Sequence, residues 1–180
     1  MSTYRAIAYS ERRGLIVSEP IMHSRDNVPY RYLDRLDIAR ALDRVRDCTV
    51  GVLGDFVVDA YYYLDQSRSE ISIETGIQTR AVRDVDIRLG GAGNVARNVS
   101  QLGCRDVRAY GVVGDDMFGR ELRRLCDAAS IETRGIVVQK REWQTGVYTK
   151  PYDRDVELER IDIGNFNVAR ADTTADVLRR

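Results

Sequence analysis

The 180-residue sequence has no excess of either charge, because 28 basic side chains balance 28 acidic ones. Proteins that bind nucleic acid regardless of its sequence normally carry a basic excess, so this class is disfavoured. The sequence also lacks an apolar run approaching the ~20 residues that span a membrane, and its polar N-terminus lacks the apolar core of a signal peptide. We therefore expect neither a nucleic-acid partner nor a membrane span.

Cysteine and histidine are scarce as well. Cys48, Cys104 and Cys126 are widely spaced and form neither a CxxC pair nor a disulfide framework, which favours the reducing cytoplasm. The single histidine, His23, lies in a polar segment and is interpreted as a solvated loop side chain. One histidine excludes a His-rich metal site and disfavours Ser–His or Cys–His catalysis.

Residues 1–31 show no sustained hydrophobic period and contain Pro20 and Pro29. We interpret them as an N-terminal extension that is partly disordered or draped over the surface. Residues 32–180 begin with a helical pattern and hold enough apolar residues for one ordinary domain.

Apolar, β-branched runs alternate with helical patterns in the remaining chain. Buried strands are predicted at 49–53 and 107–113, and further strands at 134–138, 146–150 and 157–163. The predicted apolar face of a first intervening helix comprises Val95, Val99 and Leu102, and that of a second comprises Phe118, Leu122, Leu125 and Cys126. Strand–helix alternation predicts an α/β fold with a parallel sheet.

Residues 61–88 interrupt this alternation. Apolar and polar residues alternate over 71–75 and 84–88, which is typical of half-exposed strands. We interpret 61–88 as a small β flap beside the main sheet, in which the tyrosines at 61–63 pack within the flap and do not stack on bases.

Polar and glycine-rich features follow the strand ends, where open α/β sheets bind ligands. Asp59 is placed to accept hydrogen bonds from polyol hydroxyls. Gly90 and Gly91 allow close backbone approach, and Asn94 offers a donor and an acceptor at a helix start. Together they predict a hydroxyl-rich ligand such as a sugar, whereas Gly114–Asp116 is interpreted as a turn and helix cap.

Three motifs occur in order: GDFVVD at 54–59, LGGAGNVARN at 89–98 and VGDDMFG at 113–119. They resemble the N-terminal half of the ribokinase-like (PfkB) carbohydrate kinases over about residues 40–165. The stretch 65–75 is similar to the heptose-7-phosphate kinase branch, which also forms the kinase half of bifunctional ADP-heptose synthases.

The resemblance implies transfer of the γ-phosphate of ATP to a sugar hydroxyl, with Mg²⁺. It implies a partial ribokinase-like three-layer sandwich whose small β-sheet lid is formed by residues 61–88. By the same resemblance, Asp59, Gly90, Gly91 and Asn94 contact the sugar or sugar phosphate, and the lid forms a homodimer contact.

The catalytic motifs of the family's C-terminal half are absent from these 180 residues. In the family, the Gly-Ala-Gly-Asp motif provides the catalytic base and the anion hole, and the Asn-x-x-Glu motif is associated with Mg²⁺. Residues 91–94 of this chain read Gly-Ala-Gly-Asn and resemble the first motif in sequence alone, because an Asn stands at the position of the base. We therefore assign no catalytic or metal-binding residue here and expect no useful turnover from these residues alone, since losing a general base costs typically 10²–10⁴ in rate. A missing C-terminal half or self-association is expected to cover the open sheet.

Several alternatives stay open. Arg68, Arg88 and Lys150 are candidate contacts to a substrate phosphate, because cationic side chains match phosphate oxygens; the alternative is solvated charge on lid strands. A second function class is a non-catalytic sugar-binding or oligomerisation module derived from such a kinase. A dinucleotide-binding domain is disfavoured because the glycines lack the G-x-G-x-x-G spacing.

Overall fold

The computed structural model describes residues 6–10, 14–17 and 35–180. His23 and both N-terminal prolines lie outside the described residues, as does most of the predicted extension. The strands are β1 (Ala6–Ser10), β2 (Gly14–Val17), β3 (Thr49–Leu53), β4 (Phe56–Leu64), β5 (Val82–Gly91), β6 (Asp106–Gly114), β7 (Ile131–Gln139), β8 (Gly146–Asp153), β9 (Val156–Glu157) and β10 (Ile161–Ile163). The helices are α1 (Arg35–Val45), α2 (Ala92–Gln101), α3 (Met117–Ala128) and α4 (Ala171–Arg179), with one 3₁₀ turn at Gln66–Arg68.

The first sheet has the strand order β2-β1-β3-β6-β7. Strands β3, β6 and β7 run parallel, with α2 and α3 in the connections between them. This arrangement confirms the predicted α/β fold with a parallel sheet. The carboxyl ends of β3 and β6 consequently lie at the same edge of the sheet.

A hairpin from the N-terminal segment extends this sheet. Strand β1 pairs antiparallel with both β2 and β3, so that Ala8 is the partner of Ile16 on one side and of Val50 on the other. These two strands differ from the prediction of an extension without regular structure, because the segment shows no sustained alternation of apolar and polar residues. Their presence makes β3 an inner strand.

The second sheet has the order β10-β8-β4-β5, with β9 paired to β8. It confirms the predicted small β lid, and β8 and β10 extend that lid beyond residues 61–88. The prediction of a strand at 71–75 is wrong, because this segment forms a turn closed by a single bridge between Ile71 and Gln78. Gly76 makes the turn with a positive φ of 68°, a conformation that glycine adopts without strain.

The core lies between the first sheet, the inner face of the second sheet and helices α2 and α3. Leu122 and Cys126 of α3 are fully buried, as predicted. The predicted inner face of α2 is confirmed at Val99, which packs against the core, but Val95 and Leu102 are exposed. Ala92 and Ala96 are buried instead. A Cβ on Gly93 would lie 3.2 Å from Leu89, so α2 approaches β5 through its small residues.

Candidate functional site

The second sheet presents a polar, aromatic surface on the side away from the core. In β4, Val58 and Ala60 are buried in the core, and the residues that alternate with them face the other way. The register places Arg88 of β5 and Tyr148 of β8 beside Asp59. We call this surface the outer face; it comprises Asp59, Tyr61, Tyr63, Arg88, Gly90, Tyr148, Lys150 and Tyr152.

Asp59 is the central carboxylate of the outer face. Its Oδ1 lies 3.0 Å from Nζ of Lys150, and the Asp59 side chain is 19% exposed. A Cβ on Gly90 would lie 3.0 Å from Cγ and 3.1 Å from Oδ2 of Asp59. Because Gly90 has no side chain, there is room for this carboxylate beside it. The structure thus brings Asp59 and Gly90, two of the residues predicted to contact the sugar, into contact.

One cation contacts this carboxylate, and a second lies on the same face of the sheet. Partial burial opposes the charged form of Lys150, but hydrogen bonds and charge from Asp59 and Tyr61 outweigh it and raise the pKa of the lysine. Nζ of Lys150 and the guanidinium of Arg88 lie 4.9 Å and 5.0 Å from the centre of the Tyr61 ring. Arg88 is itself paired with Asp86, so the outer face holds an ordered set of charges around one aromatic ring.

The glycine turn, formed by Gly90 and Gly91, joins the outer face to helix α2. Gly91 has φ +53°, and a Cβ there would lie 2.5 Å from the carbonyl oxygen of Asp55, so any other residue would be strained. The N–H of Ala92 donates to this same carbonyl at 2.9 Å. No side chain among the described residues caps α2, and the exposed Asn94 lies in its first turn. This turn therefore starts directly beside Gly90, and no side chain in the described part of the chain covers its end.

Arg68 lies apart from these residues. Arg68 follows Leu64, the last residue of β4, which is five residues after Asp59. At about 3.3 Å per residue, this end of the strand lies roughly 16 Å from Asp59. The structure thus brings Arg88 and Lys150 to Asp59 but separates Arg68 from it.

Gly114–Asp116 forms the predicted turn and helix cap. Oδ1 of Asp116 accepts a hydrogen bond from the N–H of Gly119 at 2.7 Å, and Oδ2 accepts one from the N–H of Thr145 at 2.8 Å. Burial alone would raise the pKa of Asp116, but these N–H donors outweigh it and lower the pKa. The segment is structural and does not belong to the outer face.

A cavity of about 430 Å³ opens beside the end of β3 and the start of β4, and Tyr148 of the outer face borders it. It is lined mainly by apolar side chains, including Leu53, Val57, Trp143, Tyr148 and Leu178. Sequence reasoning missed Tyr148 and Trp143, because no local pattern distinguishes them from ordinary strand and loop residues. Tyr61 and Tyr63 pack within the second sheet, each 6.1 Å from Tyr152 of β8 between ring centres. Tyr62, predicted to pack in the flap with them, packs against the core instead.

Over 35–180 there is no group of three or more His, Cys, Asp or Glu side chains that could hold a metal ion. None of the helices described in this chain is both long enough and apolar enough to cross a membrane.

Comparison with known proteins shows the family. The family model described as pfkB family carbohydrate kinase matches residues 50–176. The solved structure of a protein from Clostridium perfringens described as a sugar kinase superimposes with a TM-score of 0.54 at 16% identity, covering 73% of this chain and 40% of that one. This likeness supports the ribokinase-like α/β fold.

Curated relatives carry two names. The bifunctional protein HldE of Geotalea uraniireducens is 31% identical over 140 residues, or 78% of this chain and 26% of that protein. HldE of Caulobacter sp. is 40% identical over 125 residues, or 69% of this chain and 22% of that protein. The D-beta-D-heptose 7-phosphate kinase of Bordetella bronchiseptica is 36% identical over 120 residues, or 67% of this chain and 37% of the kinase. The chain thus spans well under half the length of these relatives.

Proposed function

Because the chain belongs to the pfkB family of carbohydrate kinases, we propose that its outer face and glycine turn bind a sugar phosphate. In the complete kinase, this substrate accepts the γ-phosphate of ATP on one of its hydroxyls. The observation that carries the proposal is the contact between the Asp59 carboxylate and the Gly90 backbone, beside the first turn of α2.

The chemistry of this contact suits a polyol. Oδ1 of Asp59 is fixed by Lys150, which orients the carboxylate, and Oδ2 lies beside a backbone without a side chain. A hydroxyl that donates to a carboxylate forms a charge-assisted hydrogen bond, about twice as strong as a neutral one. Tyr61 and Tyr148 supply aromatic surface on the same face for the apolar side of a sugar ring.

Lys150 and Arg88 favour a phosphorylated sugar. Both cations lie on the outer face near Asp59, within reach of one bound ligand. The similarity to proteins named heptose 7-phosphate kinase supports a heptose 7-phosphate as the substrate class. Arg68 remains a predicted phosphate contact, although it follows the end of β4 that is remote from Asp59.

The residues of this chain would bind and orient the acceptor sugar. Phosphoryl transfer depends mainly on positioning and charge stabilisation, and ATP with Mg²⁺ would supply the transferred group and neutralise its charge. We assign no ligand for either to this chain, because the Gly-Ala-Gly-Asp and Asn-x-x-Glu motifs are absent from the 180 residues. Binding without turnover is expected of these residues alone, and a cytoplasmic location stays a prediction.

Exposed apolar side chains support the proposal of a further polypeptide partner. Leu178 and Leu53 border the cavity, and they are 75% and 45% exposed. Phe166 lies between the cavity-lining residues Asn165 and Asn167 and is 95% exposed. At the lid tip, which is the turn over residues 71–78, Ile73 is fully exposed. Such surfaces are typical of interfaces, so we propose that a C-terminal half of the kinase covers the cavity and that the lid tip forms a homodimer contact.

Calorimetric titration with a heptose 7-phosphate tests the binding proposal. We expect Asp59→Asn to weaken binding by about 1–3 kcal/mol, or about 5- to 150-fold, because a hydrogen bond to a charged group is lost. Asp127→Asn is the control, since Asp127 is an exposed carboxylate in α3 and lies outside the outer face. Equal affinity of the D59N and wild-type chains would reject the role of Asp59. Equal affinity for the unphosphorylated heptose would reject the roles of Lys150 and Arg88.

The absent motifs also favour a second candidate, a sugar-binding module without catalysis. Mixing this chain with a polypeptide that carries Gly-Ala-Gly-Asp separates the two functions. Phosphorylation of the sugar by the mixture supports the kinase. Retained sugar binding without any turnover supports the module.

A further inference from the structure

Strand β10 continues the polar side of the second sheet beyond Tyr148. Its register with β8 places Asp162 directly opposite Tyr148, which is in turn the register partner of Asp59. Ile163, the next residue of β10, packs against the core, so the side chain of Asp162 lies on the opposite side, that of the outer face. Asp162, Tyr148 and Asp59 thus form one row across three strands. With about 4.8 Å between strands, this row spans about 10 Å.

Arg160 immediately precedes β10 and reaches the same side of the sheet. Its guanidinium lies 4.9 Å from the centre of the Tyr148 ring. Its Nη2 donates a hydrogen bond to Oδ2 of Asp162 at 2.8 Å. The aromatic ring and the carboxylate together fix the guanidinium plane. Continuing the register of β10 with β8 by one residue places Arg160 opposite Lys150, so two cations face each other on neighbouring strands.

The guanidinium of Arg160 keeps donors for a ligand. The Arg160 side chain is 44% exposed, and over the described residues its guanidinium donates a hydrogen bond to Asp162 alone. Arg88, in contrast, contacts Asp86 through both Nε and Nη2. Because a guanidinium has five N–H donors in a fork that matches phosphate oxygens, Arg160 retains more unpaired N–H groups for an anion than Arg88 does.

The carboxylate that holds Arg160 has an unsatisfied oxygen. Oδ1 of Asp162 is buried and accepts no hydrogen bond. Among the partly and fully buried residues that the structure describes, no other side-chain nitrogen or oxygen is buried without a partner. An ion pair that only stabilised the fold would be expected to have both carboxylate oxygens paired, because burying an unpaired acceptor costs free energy. Departures from this rule are typical of functional sites.

We propose that Arg160 is a specificity-determining contact for the substrate phosphate, an inference that rests on the proposed function of the outer face. Hydroxyls of the sugar bind Asp59, and the apolar side of its ring lies on Tyr148. The phosphate accepts hydrogen bonds from Arg160, with Lys150 as the neighbouring cation. Asp162 is a positioning residue, since it orients Arg160. The row therefore selects a sugar whose phosphate lies at the end remote from the hydroxyls that Asp59 binds.

Calorimetric titration of the whole 180-residue chain with heptose 7-phosphate and with the unphosphorylated heptose tests this role. We expect Arg160→Gln to weaken binding of the phosphorylated sugar by about 10- to 150-fold, because hydrogen bonds between charged groups are lost. Binding of the unphosphorylated heptose should stay unchanged, which a general loss of structure would not produce. Arg160→Lys keeps the charge without the planar fork and should give an intermediate loss.

Arg108→Gln is the matched control. Arg108 also pairs with a carboxylate two residues away, that of Asp106, and its side chain is 47% exposed, but it lies in β6 of the first sheet. This variant should bind both sugars like the wild type. Asp162→Asn should lower the preference for the phosphorylated sugar by a smaller factor than Arg160→Gln, because it loosens the guanidinium without removing it.

The same titrations can overturn the inference. If D59N binds heptose 7-phosphate weakly while R160Q binds it like the wild type, Arg160 has no such role and the proposed function stands. A larger loss in Arg88→Gln than in Arg160→Gln would place the phosphate at the opposite side of Asp59 and would also reject the inference. Absence of binding by the wild-type chain would reject both this inference and the proposed function.

Discussion

At the residue scale, Asp116 connects the two sheets. Its carboxylate accepts N–H bonds from the first turn of α3 and from Thr145, which immediately precedes β8. The hydroxyl of Thr145 in turn accepts a bond from the N–H of Gly114 at 2.9 Å. Loss of the carboxylate would leave these partly buried N–H groups without partners, which destabilises a fold.

We predict that Asp116→Ala lowers the free energy of unfolding by about 1–3 kcal/mol, through the lost helix cap and the unpaired donors. Because the pKa of Asp116 is lowered in the folded state, this stabilisation is fully present above the unfolded pKa near 3.9 and is lost as pH falls through the folded value. Urea unfolding at pH 7 and at successively lower pH measures both effects.

Asp115→Ala is the control for this prediction, because Asp115 is exposed and adjacent. We expect its effect to stay within about 0.5 kcal/mol. Equal destabilisation by the two substitutions, or a D116A effect that persists below the folded pKa, would contradict the role given to this carboxylate.

The residues of the site could be predicted only in part from the sequence. Asp59 and the glycine turn belong to local motifs, so their residue types alone indicated a sugar contact. The ion pair of Asp59 with Lys150 joins strands far apart in the chain, and no local pattern encodes such a contact. Lys150 could be identified as a cation but not as the partner that orients Asp59.

At the element scale, the β1–β2 hairpin protects the edge of β3. The family model begins at residue 50, so the hairpin lies outside the matched segment. Without it, β3 would present an unpaired edge, and such edges promote association between chains. The hairpin therefore acts as an edge cover for a parallel sheet.

We predict that Ala8→Pro releases this cover, because proline removes the backbone N–H from a strand paired on both sides. Faster hydrogen exchange in β3 and concentration-dependent association in sedimentation velocity should follow. Ala8→Val keeps the N–H and should behave like the wild type. A monomeric A8P chain with unchanged exchange in β3 would show that the hairpin does not protect this edge.

Helix α2 shows why some element-level predictions fail. Hydrophobic periodicity selected Val95, Val99 and Leu102 as its inner face. Only Val99 packs against the core, whereas the other two are exposed and Ala96 is fully buried. Close contact with β5 requires small side chains at the interface, as Gly93 against Leu89 shows. In α3, where Leu122 and Cys126 face the core at ordinary distance, the same periodicity predicted the buried face correctly.

At the scale of the whole molecule, the placement of the second sheet creates the outer face that forms the candidate site. Strand β4 follows β3 after a two-residue turn but leaves the first sheet and pairs with β5 and β8. The glycine turn then returns the chain to α2 and the first sheet. The alternation of strands and helices predicted the first sheet, whereas the parallel pairing of β4 with β8 depends on tertiary contacts that periodicity does not record.

Amide NMR shifts during titration with a heptose 7-phosphate test the central claim, that the outer face and glycine turn form one sugar-phosphate site. We predict saturable shifts at Gly90, Gly91 and Asn94 in the wild-type chain, strongly reduced in the D59N variant. Saturable shifts that leave these three amides unchanged and fall elsewhere, such as around Gln101 and Ala129 in the cavity between α2, β5 and the end of α3, would contradict it.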